Sequence, residues 1–173
     1  MKNKIAILFV LCIFSTTAFS QKDIELDNIK TKHFIGLHAG NTTGFGFSYR
    51  YWPTKLGCQI TSIPIFGQDF YNVNIGISLL YTLKDNKKVD LYSYFGNRLQ
   101  FDGYETNQYD NFGNVIATKK TAYTTYNIGL GIGFKIDLLE VLDINFQTGY
   151  ALNDITDSFY TGLAGEIGLY YQL

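Results

Sequence analysis

Few side chains in this 173-residue chain combine a reactive type with a useful spacing. There are two histidines, His33 and His38, and two cysteines, Cys12 and Cys58. A hydrolase or acyltransferase needs a histidine within reach of a hydroxyl, thiol or acid. His38 would have to be that base, and its own segment supplies neither serine nor acid. A catalytic set would therefore have to be assembled from distant segments. A hydrogen-bonded interior role for His38 is the favoured reading. Two histidines and one downstream cysteine lack metal-ligand spacing, so no metal or cofactor is expected. Gly129, Gly131 and Gly133 alternate on one face with no helix after them, which excludes a phosphate-binding loop. No catalytic residue is assigned, and the chain is expected not to be an enzyme.

The charged residues carry more information. Net charge is -1, which gives no strong field for nucleic acid or for a polybasic membrane contact. Arg50, Asp90, Arg98, Lys135, Asp143 and Glu166 all fall on the small, polar face of alternating segments. Unpaired charge in a narrow interior is costly, so these groups should pair. Glu166 is expected to pair with Arg50 or Arg98. The structural reading of this set is a salt-bridged filling, and the functional one is a gated pore; the first is favoured.

The elements that must position these charges are strands. The chain holds 14 Tyr, 14 Phe and 17 Gly but only 2 Pro, a composition that favours strands and close strand packing. Tyr71, Val73, Ile75, Ile77, Leu79 and Tyr81 share one face of a segment whose other face is Asn72, Asn74, Gly76 and Ser78. Such period-two alternation marks a strand between two environments. The pattern recurs at Tyr126–Phe134, Leu142–Tyr150 and Phe159–Leu173. It is weaker at His33–Gly40, Thr43–Trp52, Leu56–Ile63 and Val89–Phe101. Pro64 is expected to end the third segment. Ile136–Leu142 is the one stretch with an ambiguous, helix-like period. The total is eight strands, and the fold class is all-β, an eight-stranded antiparallel up-and-down transmembrane β-barrel.

The polar face decides which way the barrel is turned. It is made of Gly, Asn, Ser, Thr and Ala, whereas soluble surfaces carry about a quarter to a third charged residues. Small polar residues suit the crowded interior of a narrow barrel. The apolar face then points outward. Tyr71 and Tyr81 bracket about 33 Å of strand, a height near 25 Å when tilted by about 40°. That is the spacing of aromatic girdles around a lipid-facing band, here assigned to Tyr71, Tyr81, Tyr126, Phe134, Phe159 and Tyr171.

The ends complete the organisation. Lys2 and Lys4, the apolar run Ile5–Phe14 and Ala18-Phe19-Ser20 read as a signal peptide over residues 1–20, cleaved after Ser20. Residues 21–32 read as a polar arm and residues 33–173 as the barrel. Cys12 lies inside the signal, after Leu11 and before Ile13 and Phe14, which argues against lipidation. Asp102–Lys120, with Tyr104, Tyr109 and Phe112, reads as the longest outward loop; a solvated, variable loop is the favoured reading, and a contact surface for an unidentified extracellular partner is the functional alternative. Pro53–Lys55 and Lys84–Lys88 read as short inward turns, and Asp137–Val141 as an apolar turn at the membrane interface.

The signal sequence, the Tyr126–Phe134 strand, Asp143–Tyr150 and the Glu166–Leu173 strand resemble the outer-membrane β-barrel domain proteins of Gram-negative bacteria, the OmpX-like and OmpA-like barrels. The resemblance spans about His33–Leu173 and lies in the pattern, without a diagnostic motif. It implies outer-membrane lipid as surroundings and insertion by the barrel-assembly machinery. That machinery reads a C-terminal strand ending in an aromatic residue. Ile167, Leu169 and Tyr171 fit, while Leu173 stands where the family usually has Phe. The expected function is a structural, adhesion or interaction role with a filled polar lumen. The alternatives are a narrow channel, a lipid-modifying enzyme and a soluble periplasmic ligand-binding barrel.

Overall fold

The structure is a computed structural model that describes residues 32–86, 88–109, 112 and 115–173. The expected signal peptide and the arm up to residue 31 lie outside the described residues. Lys32, expected in the arm, instead opens the first strand, because it pairs with Trp52.

Eight strands follow in chain order: β1 Lys32–Gly40, β2 Phe45–Trp52, β3 Leu56–Phe66, β4 Phe70–Lys84, β5 Val89–Tyr109, β6 Val115–Leu139, β7 Leu142–Asn153 and β8 Tyr160–Gln172. Each is antiparallel to the next, and β1 closes the ring against β8, with His38 opposite Gly168. Closure removes the edges that an open sheet would expose along the barrel wall.

Period-two alternation sorts the side chains as the sequence predicts. Gln59, Thr61, Asn74 and Ser78 are fully buried, while Phe47 and Leu163 are 71% and 76% exposed. The interior is polar and the outer surface apolar, the reverse of a soluble barrel. A smaller apolar cluster, Phe34, Trp52, Leu80, Tyr92, Tyr94 and Tyr170, fills the lumen toward the end where β1 begins and β8 finishes. The short turns after β2, β4 and β6 lie at that same end.

Four expectations about elements are corrected. Pro64 does not end β3; it stays in the strand opposite Val73. Pairing of β3 with β2 has already stopped at Phe47↔Ser62, so the missing proline N–H falls on a local edge, where it is tolerated. Asp102–Lys120 is not a loop: β5 continues to Tyr109, and β6 begins at Val115. Thr and Tyr side chains paired across these strands favour extension over an irregular connection. Ile136–Leu142 has no helical turn, because β6 runs to Leu139 and a two-residue turn leads straight into Leu142. Finally, Phe159 lies just before β8 rather than within it.

Candidate functional site

The connection between β1 and β2 does not rise from the rim. It turns inward, and Thr42 and Thr43 are both 0% exposed. Gly44 has φ 88° and Gly46 has φ 122°, left-handed values that let the chain reverse there without a Cβ clash. Glycines on the opposite wall make room for the loop. A methyl group at Gly76 would fall 2.0 Å from the Thr43 carbonyl oxygen. One at Gly96 would fall 2.7 Å from Thr43 Cγ2, and one at Gly129 would fall 2.5 Å from Thr42 Cγ2. The glycine-rich lumen face of β4, β5 and β6 is thus a recess shaped to this loop.

Glu166 of β8 holds the loop in place. Its Oε1 accepts from the Thr42 and Thr43 backbone N–H groups at 3.0 and 3.1 Å, and from the Thr42 hydroxyl. Its Oε2 accepts from the Thr43 hydroxyl and lies 3.2 Å from His38 Nε2. Bonds to an ionised acceptor are roughly twice as strong as neutral ones, and here they form away from water. Asn127 Nδ2 donates to the Asn41 carbonyl at 2.9 Å, and Asn74 Nδ2 to the Phe45 carbonyl at 2.6 Å. The loop is therefore secured from β4, β6 and β8 together.

This overturns the expected pairing of Glu166 with an arginine. Arg50 is fully buried, and its partners are neutral. Its Nε donates to Gln59 Oε1 at 2.6 Å and its Nη1 to Asn145 Oδ1 at 2.5 Å. The guanidinium also faces the rings of Tyr170, Tyr92 and Trp52. A chain of hydrogen bonds runs beside it: Gln59 donates to Thr61, the Thr61 and Ser48 hydroxyls bond to each other, and the Tyr170 hydroxyl donates to Ser48. Arg98 is half-buried and donates to the Gly40 carbonyl at 3.4 Å. The physical reason is the inserted loop, whose four donors occupy the Glu166 carboxylate.

Lys135 is the lumen cation that does pair with carboxylates. Its Nζ lies 2.8 Å from Asp90, 3.1 Å from Asp137 and 4.0 Å from Asp143. Its ammonium also faces the Phe34 ring at 5.6 Å. Asp90, Lys135 and Asp143, singled out from sequence, are thus brought together with Asp137, which was not. Of the proposed girdle, Tyr71, Tyr81, Phe134, Phe159 and Tyr171 are exposed on the outside of the barrel, and Tyr126 is half-buried.

His38 meets an acid and a hydroxyl, but not as a catalytic relay. Thr43 Oγ1 and Glu166 Oε2 both approach the same nitrogen, Nε2, at 2.5 and 3.2 Å. A nucleophile–base–orienter chain needs the acid on the other ring nitrogen. That nitrogen, Nδ1, is buried without a hydrogen-bond partner among the described residues. The cluster can fix a loop; it offers no approach to a substrate.

Above the rim, β5 and β6 continue as a two-stranded hairpin. Tyr104 and Tyr123 stack with ring centres 5.8 Å apart, Lys120 Nζ lies 2.6 Å from Glu105 Oε1, and Thr118 donates to Asn107. Pairing of β6 with β7 begins only at Ile128↔Leu152. The β7–β8 loop covers the β6 edge as far as the Thr124 and Tyr126 carbonyls. From Val115 to Tyr123 the edge on that side has no strand beside it among the described residues.

No family model and no curated protein matches the sequence. Among solved structures, the N-terminal β-barrel domain of Pseudomonas aeruginosa OprF is similar at 13% identity and a TM-score of 0.50, covering 82% of this chain and 97% of that one. A major outer membrane protein from Thermus thermophilus is similar at 15% identity and a TM-score of 0.50, covering 83% and 100%. With the closed ring of eight antiparallel strands, these likenesses give the chain the fold of the eight-stranded outer-membrane barrels, of OmpX-like and OmpA-like architecture.

Proposed function

We propose that this chain is an integral outer-membrane barrel of Gram-negative type, with a closed lumen, that acts as an interaction or adhesion module through its projecting β5–β6 hairpin. The observation that carries the interaction role is the open β6 edge from Val115 to Tyr123. Its unpaired N–H and C=O groups can accept a further extended strand, and alternating side chains would set the choice of partner. The membrane reading is supported by the apolar outer surface, which is far larger than soluble monomers leave exposed. Outer-membrane lipid is the natural cover for it. Export by the 1–20 signal and insertion by the barrel-assembly machinery belong to the same reading.

A channel is disfavoured because the loop and the aromatic cluster both block the lumen. An enzyme is disfavoured because His38 is enclosed. Two experiments test the proposal. Fractionation should recover the protein in the outer membrane, starting at Gln21; recovery in the soluble periplasm overturns the location. Cutting the hairpin back to a short turn between Glu105 and Lys120 should abolish cell adhesion to immobilised extracellular protein while preserving the gel mobility of the folded barrel. Undiminished adhesion overturns the interaction role.

A further inference from the structure

We propose that the Gly40–Gly44 loop is a hinged stopper, latched shut by Glu166, over a polar vestibule that opens toward the hairpin end of the barrel. The stopper enters as backbone and two small side chains. Its recess is lined by Gly76, Gly96 and Gly129, so the wall that faces Thr42 and Thr43 at those three positions is bare backbone. The contacts that hold it are polar. Glu166 accepts four hydrogen bonds from Thr42 and Thr43, and Asn127, Asn74 and Arg98 hold the carbonyls of Asn41, Phe45 and Gly40. Water can replace each of these, whereas a hydrophobic plug would have to expose apolar surface to leave. Gly44, in left-handed backbone just before β2, is the position where the loop can swing, and Gly40 N–H closes the turn on the Gly44 carbonyl at 2.9 Å.

The space beneath is polar and incompletely satisfied. Ser78 Oγ, below the contact of Thr43 with Gly76, is buried without a hydrogen-bond partner among the described residues, and so are Asn74 Oδ1 and Arg98 Nε beside the stopper on its hairpin side. Groups of this kind are normally solvated or bound. With the stopper raised, they and the freed Glu166 carboxylate would line an open vestibule. The Phe34, Trp52, Tyr92 and Tyr170 layer stays closed below it, so the opened state is a cup and not a through-pore.

The test places a thiol on the stopper. In detergent-solubilised full-length barrel carrying Cys58→Ser, Thr43→Cys should react slowly with a soluble maleimide. Adding Glu166→Gln removes the charge from the latch and should speed labelling about tenfold or more, the weight of one or two charge-assisted bonds. The folded gel mobility of each variant confirms that the barrel is intact. If Glu166→Gln does not fold, Thr42→Val, which removes a single latch bond and leaves Glu166 in place, takes over the comparison and should speed labelling severalfold. Equal labelling rates with the latch intact and weakened overturn the proposal: both fast means the loop is never latched, and both slow means it is fixed core.

Discussion

The guanidinium carbon of Arg50 lies 4.0 Å from the ring centre of Tyr170, and that ring's hydroxyl donates to Ser48 at 2.9 Å. The pair joins β2 to β8 across the lumen. It also explains how a fully buried arginine persists with no carboxylate beside it. Three aromatic faces and two amide oxygens stabilise the cation without the desolvation of a second charge.

Arg50→Lys should therefore be costly although it keeps the charge. An ammonium cannot hold Gln59 and Asn145 with one planar fork or stack on Tyr170. The expected loss is about 2 kcal/mol. It should appear as a lower midpoint in urea unfolding followed by gel mobility. A midpoint unchanged from the parent would show that the aromatic cage contributes nothing.

Lys135 offers the opposite case. Replacing it with Met leaves Asp90, Asp137 and Asp143 facing one another, and breaking a buried pair in this way costs about 3–5 kcal/mol. Adding Asp143→Asn should recover part of the loss, because one repelling charge is gone. A double-mutant cycle reads that coupling directly. Strict additivity would mean that Lys135 and Asp143, 4.0 Å apart, do not interact.

The Gly131–Gly149 pair sets how closely β6 and β7 approach. A methyl group at Gly149 would lie 2.1 Å from the Leu130 carbonyl oxygen, which is backbone and cannot swing aside. Gly149→Ala should destabilise the barrel by about 1–3 kcal/mol, whereas Gly165→Ala, which meets nothing nearby, should be close to neutral. Comparable unfolding midpoints for the two variants would contradict this packing account.

Outside the barrel wall, the β7–β8 loop carries a pH-dependent element. Asp154 accepts from the Ser158 hydroxyl at 2.8 Å, and also from the Ser158 N–H and the Thr156 hydroxyl. The Ser158 hydroxyl is the main cause that holds its carboxyl below the usual aspartate range. A depressed carboxylate contributes order that is present above its unfolded value and lost as pH falls through the folded one. Amide exchange at Ser158 should accelerate as pH drops below about 4, beyond the intrinsic trend. Asp154→Asn should abolish that extra step. Its persistence in the variant would place the titration elsewhere.

Much of this was legible in the residues themselves. The alternation from Tyr71 to Tyr81 names the two faces of β4, and the same rule places Arg50, Lys135 and Glu166 inside. Side-chain direction alternates strictly along a strand, so face assignment is a local property. The length of the β5–β6 hairpin was hidden because Thr, Tyr, Lys and Asn suit an exposed strand as well as a loop. Asn41-Thr42-Thr43-Gly44 likewise reads as an ordinary polar turn.

Partners are a different matter. That Glu166 meets Thr42 and Thr43 rather than Arg50 depends on a loop folding inward across the barrel. It also depends on Gly76, Gly96 and Gly129 leaving room on three other strands. Alternation by itself determined an eight-stranded barrel with charge inside and apolar residues outside. Hairpin register set Lys135 opposite Asp90, while ring closure and the inward loop brought Glu166 to Thr42 and Thr43, because such contacts join residues distant in sequence and follow from register and shape that no single segment contains.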